Sequence, residues 1–158
     1  MLLATLILTV STALLLFYIQ AVCQKILRRR FNQELFHAIV NANRLEFPFV
    51  RKVLEDYDVP VDYARFRMQL KCDFLALKYL LKNVMNARRR LSSQERLLIL
   101  YFRVIFFAMG ILHLLGTGEE PCMMKLTDIL QYFANVLGER VSTIRFGNMT
   151  ASDYLLSL

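Results

Sequence analysis

Residues Leu2 to Val22 contain no charged side chain, and the chain turns basic directly afterwards at Lys25, Arg28, Arg29 and Arg30. A bilayer crossing needs about 20 apolar residues in a helix rising 1.5 Å per residue, so this run meets the requirement by itself. Lys and Arg beside a span favour the cytoplasmic side, which predicts the N-terminus outside and the body of the chain inside. A cleaved signal peptide fits poorly. Nothing basic precedes the run, its core is long, and its charge follows rather than leads. Ala21-Val22-Cys23 resembles a lipoprotein cleavage box, but Val22 is bulky where a small residue is expected. Thr5, Thr9 and Thr12 share one helical side. They would either face another membrane helix or, the simpler reading, bond their own backbone carbonyls.

The segments divide as anchor 1–24, basic juxtamembrane collar 25–31 and a cytoplasmic α-helical domain 32–158. That last length suits one domain with a real core. Five Gly and three Pro in 158 residues are too few for a turn-rich β fold. Cys23, Cys72 and Cys122 form no CxxC pair, and in a reducing compartment they read as buried or interfacial thiols. Charge is uneven. Residues 23–94 hold fifteen Lys/Arg against seven Asp/Glu, whereas 116–158 hold three against five. The basic excess lies in the half nearest the anchor, where anionic headgroups attract it. No nucleic-acid reading motif accompanies it, so lipid is the simpler partner and no specific nucleic acid is implied.

Apolar spacing predicts an all-α chain, with the N-terminal span followed by a bundle of about five helices. A short helix over 32–43 carries Leu35, Phe36, Ile39 and Val40, and a second follows Pro48, the two reading as a helical hairpin. Asp62 is a candidate N-cap for a helix to about Asn86. Ser92-Ser93-Gln94-Glu95 spells a capping box for the next helix, which runs to Leu115 before Gly116-Thr117-Gly118. A last long helix opens at Pro121, passes through Gly138 and ends near Gly147, and Asp153–Leu156 forms a tail able to dock back.

Leu97–Leu115 decides the topology. Thirteen of its residues are Leu, Ile, Val or Phe, interrupted by Arg103 and His113. Strong apolar residues favour insertion by about 0.3–0.6 kcal/mol each, while a central Arg opposes with about 2.5–3.5 kcal/mol. The preferred reading is a helix buried at the bundle centre, with Arg103 reaching the surface or meeting an acid such as Asp73. The alternative is a second span, giving a two-pass protein.

No catalytic set emerges. There is no phosphate-binding glycine loop, nucleophile elbow or H-E-x-x-H motif. His37 and His113 are the two histidines, and a haem held between them is the weak redox alternative. Cys122-Met123-Met124 point about 100° apart on a helix and favour packing over copper binding. Glu55, Asp56 and Asp58, and likewise Glu119-Glu120, read as solvated caps without a metal. The Asn148-Met149-Thr150 sequon would be silent on the cytoplasmic side. The Arg88-Arg89-Arg90 turn is the candidate contact for an anionic partner in a regulator of lipid or nucleic acid. The expectation is a non-catalytic membrane-anchored adaptor or accessory subunit of a larger membrane protein assembly. No cofactor and no small-molecule substrate are implied.

Overall fold

A computed structural model describes residues 1–29, 33–56, 62–84, 91–116 and 118–147. Six helices account for nearly all of them: α1 (Leu2–Leu27), α2 (Gln33–Asn43), α3 (Phe47–Glu55), α4 (Tyr63–Val84), α5 (Ser93–Leu114) and α6 (Glu120–Gly147). The chain is all-helical, with one long apolar N-terminal helix followed by five more, as its periodicity predicts.

Local chemistry sets the helix ends. Asp62 accepts the Arg65 amide at 3.1 Å and caps α4. At α5, Ser92 accepts from the Gln94 amide at 3.2 Å and Glu95 accepts from the Ser92 amide at 3.1 Å, completing the expected capping box. Pro48 lies in the first turn of α3. α2 ends through an unusual residue. Arg44 takes a left-handed φ of 51°, and the bonds Leu45 N–H to Val40 O and Arg44 N–H to Asn41 O form a Schellman closure normally given to glycine. The α5–α6 turn uses Gly116 at φ 66° for the same purpose.

α1 has two parts. Residues 3–18 are exposed throughout, whereas Ile19, Cys23, Ile26 and Leu27, at helical spacing, pack on the bundle. Cys23 is fully buried, so the edge of the apolar run is inside the fold. In the exposed part Thr9 donates to Leu6 O and Thr12 to Leu8 O, both at 2.8 Å, and Thr5 to Met1 O at 3.5 Å. Each threonine thus bonds its own backbone.

The bundle centre is α6, and this corrects the expectation for Leu97–Leu115. α2, α3, α4 and α5 all pack on α6, with α1 touching it through its last turns. Leu126, Ile129, Leu130, Phe133, Ala134 and Leu137 are essentially shut from solvent. α5 buries one face alone, through Leu98, Tyr101, Phe102, Ile105 and Met109. Its opposite face exposes Leu100, Val104, Phe107, Ile111 and Leu114. Total hydrophobicity misled here: α6 alternates apolar and polar residues, yet the other helices converge on it and leave an edge through Asp128 and Glu139 partly exposed. The hairpin reading of α2 and α3 is also revised. They meet through the edge of Phe36 on Phe47, but each lays its main contact on α6.

Three polar links fix the arrangement. Arg51 of α3 reaches Asp128 at 3.0 Å and Gln131 at 2.6 Å on α6. Buried Glu95 of α5 pairs with Arg140 of α6. Among the described residues Asp73 meets no arginine. Buried on α4, it accepts the backbone amides of Phe47 at 2.7 Å and Glu46 at 2.9 Å. A carboxylate from another helix therefore caps α3, whose own N-cap residue Glu46 makes no side-chain capping bond and instead accepts from Gln69 of α4. Arg103 takes the other expected course and is exposed.

α5 runs antiparallel to α1: Val22, Lys25, Ile26 and Arg29 line one cleft with Ser93, Gln94 and Leu97. α4 is antiparallel to α5 as well, because Tyr63 meets His113 and Phe74 meets Phe102. The start of α4 and the end of α5 therefore lie on the side towards which the exposed stretch of α1 extends.

Candidate functional site

On α4, Arg67, Lys71, Phe74 and Lys78 follow steps of four, three and four, placing them on one face. That face looks across to Phe102, Arg103, Phe106 and Gly110 of α5, and between them lies a groove of about 590 Å³. The two helices lean on α6 rather than on each other's backbone, and aromatic rings bridge the gap. Phe74 stacks on Phe102 at 3.9 Å between centroids, and Tyr63 stacks on His113 at 3.7 Å. The Arg67 guanidinium lies 5.2 Å from the Phe106 ring centre and 5.9 Å from that of Tyr63. Gly110 lies beside it, where a Cβ would make ordinary contact with Arg67 Nη2 at 3.7 Å.

The electrostatics are one-sided. Arg67, Lys71, Lys78 and Arg103 line the groove, no Asp or Glu does, and among the described residues none of these four cations forms an ion pair. The Tyr63 hydroxyl is closed off from solvent and has no hydrogen-bond partner among the described residues. An aromatic floor under a cationic rim suits a ligand with an apolar body and an anionic end.

A second feature is the outer stripe of α5. Leu100, Val104, Phe107, Ile111 and Leu114 repeat at steps of four and three, with Phe107 71% and Leu114 86% exposed; Phe107, Ile111 and Leu114 also form the edge of the groove, whereas Leu100 and Val104 lie outside it. Both α1 and α5 are long and apolar enough to cross a membrane, and 28% of the most apolar window of α5 is buried against 6% for α1.

The residues expected to orient the chain form a partial cluster. Lys25 and Arg28 are exposed at the end of α1, and Arg29 pairs with Glu139 of α6 at 3.3 Å. Arg30 and Arg88, Arg89 and Arg90 lie outside the described residues, as do the sequon and the 153–156 tail. The two histidines are not brought together. His113 lines the groove and meets Glu119 at 3.3 Å, whereas His37 is exposed on α2 with its ring against Phe36. Met123 is fully buried in the core, and burial pushes the neighbouring Cys122 thiol upward. Among the described residues no group of three or more His, Cys, Asp or Glu is placed to hold a metal ion.

Two acids feel the low-dielectric interior. Burial raises the Asp73 carboxyl above its ordinary value against the opposing pull of its two amide donors. Burial likewise raises Asp128, partly offset by Arg51. The Tyr132 hydroxyl is raised by burial and partly restored by Arg29.

The groove was missed from sequence because the apolar series Phe66, Leu70, Phe74, Leu77 and Leu81 dominates α4. Its signal was the cation series 67, 71, 78 beside that stripe, meaningful once α5 supplies the opposite wall. Comparison with known proteins returns no matching family model, no matching curated relative and no matching solved structure.

Proposed function

We propose that this chain is a membrane-anchored, non-catalytic helical adaptor, an accessory subunit that holds its bundle beside other membrane proteins. Residues 1–24 are the anchor, 25–31 the basic collar, and 32–158 the cytoplasmic domain. The observation that carries the reading is the unbroken passage of α1 from its exposed apolar stretch into the bundle at buried Cys23. The tether is thereby rigid rather than a flexible leash. Its freely exposed stretch, residues 3–18, spans about 24 Å, whereas a bilayer core is about 30 Å thick. Crossing therefore draws in the turn that touches the bundle, which presses the end of α5 and the start of α4 towards the headgroups. Lys25, Arg28 and Arg29 sit at the opposite end of the span, as orienting charges do.

The α5 stripe is the surface offered to a companion helix, and tethering raises its effective concentration there. Photo-crosslinking residues placed at Leu100 and Val104, the exposed stripe positions outside the groove, are expected in native membranes to capture one stoichiometric membrane protein. A chain that washes off in alkaline carbonate, or that purifies alone from mild detergent without crosslinks, would overturn the proposal.

A two-pass arrangement is the second reading, favoured by α5 running antiparallel to α1 with Ser93–Leu97 level with the collar. A tag at Leu158 separates them. In intact cells it is shielded if α1 alone crosses and reachable from outside if α5 crosses too.

A further inference from the structure

From the α4–α5 groove we infer a specific binding site for one acyl chain of an anionic membrane phospholipid, its phosphate held by the cations of the rim. The site is distinct from the general attraction of the collar for charged headgroups. Its floor is apolar and aromatic, from Phe74, Phe102 and Phe106, and its volume of about 590 Å³ is that of a small-molecule pocket. From Tyr63 to Lys78 the α4 wall runs about 22 Å, enough for the acyl chain of one leaflet, which is about 15 Å deep. Ring contacts at 3.7 and 3.9 Å bridge the two walls and make the groove an aromatic-lined surface channel, a shape that suits a slender hydrocarbon chain.

Charge selects the head. Arg67, Lys71, Lys78 and Arg103 face the groove with no acid among its lining residues, so a zwitterionic lipid gains less than an anionic one. Position supplies the route. The Tyr63–Leu114 end of the groove faces the side to which the exposed α1 stretch runs, so a lipid enters laterally without crossing water.

The test uses the full chain in phosphatidylcholine vesicles containing a minority of phosphatidylglycerol that carries a diazirine on one acyl chain. A parallel set carries the diazirine on phosphatidylcholine. The expected result is labelling of α4 around Lys71–Phe74 by the anionic probe, with little from the zwitterionic one, and α1 labelled by both. Lys71→Gln with Lys78→Gln, at positions that keep no ion pair, should reduce the α4 labelling about tenfold while leaving α1 labelling and helicity unchanged. Gly110→Leu, which fills the groove, should abolish it irrespective of headgroup. Equal α4 labelling by both probes, or label confined to α1 and to Leu100 and Val104 of α5, overturns the inference. Crosslinking of the groove to a protein instead of lipid overturns it too. Labelling of α1 independently reports the tether, so loss of the groove signal alone leaves the proposed anchoring intact.

Discussion

At the scale of single residues, Asp73 carries the clearest consequence. It serves as the N-terminal cap that α3 lacks, from a different helix and in a buried setting. Asp73→Ala strands two amides and is expected to cost about 1–3 kcal/mol, whereas Asp73→Asn keeps an acceptor and should cost less than half as much. Chemical denaturation in a mild detergent distinguishes the two. The pH dependence follows from the raised carboxyl. A folded-state value above 3.8 means the native chain binds this proton more tightly than the unfolded one. Its stabilising contribution is complete below 3.8 and is lost as pH rises through the folded value. Melting temperature should therefore decline over that window in the parent chain and decline less in Asp73→Asn. Arg44 offers a gain instead. Its left-handed φ of 51° is one that glycine adopts freely, so Arg44→Gly should stabilise by up to about 1 kcal/mol in the same assay.

At the scale of helices, α5 and α6 exchange the roles that their compositions suggest. α6 is where the other helices converge, and Leu130→Ala or Phe133→Ala should cost about 3–5 kcal/mol by leaving a cavity in the centre of the core. On α5, Leu100→Ser and Val104→Ser change exposed positions outside the groove and should shift stability by under about 1 kcal/mol, while removing the proposed contact surface. Denaturation midpoints and crosslinking yield, measured on the same variants, show whether the two effects separate. Glu95 belongs to both helices, capping α5 and pairing with Arg140 of α6. Removing its charge as Glu95→Gln leaves a half-buried guanidinium without its partner. A loss of about 2–3 kcal/mol is expected.

Over the whole molecule, the exposed apolar surface is concentrated on α1 and α5. The free stretch of α1 and the outer stripe of α5 leave more apolar side chains bare than a water-soluble monomer does. Met68 and Tyr79 of α4 are exposed as well. Truncating residues 1–18 should therefore leave the bundle folded, since none of that stretch is packed, yet still association-prone through α5. Circular dichroism should keep the helical signal of residues 19–147, and sedimentation should reveal oligomers that dissolve in detergent. A monodisperse, detergent-free monomer would show that the α5 stripe does not need covering.

Much of this architecture is written in local chemistry that neighbours along the chain supply. The membrane-length run, the Asp62 cap, the Ser92/Glu95 capping box, the Gly116 turn and the passage of the last helix through Gly138 all follow from residues a few positions apart. What sequence alone did not decide is which apolar helix is surrounded. Burial depends on how many partners converge on a helix, and that is a property of packing: α6 receives four helices on its flanks while more apolar α5 receives them on one face. The Asp73 cap and the α4–α5 groove share this origin. Their paired members stand about 26 to 50 residues apart in the chain, and they acquire a common environment when α6 brings α3, α4 and α5 to its sides.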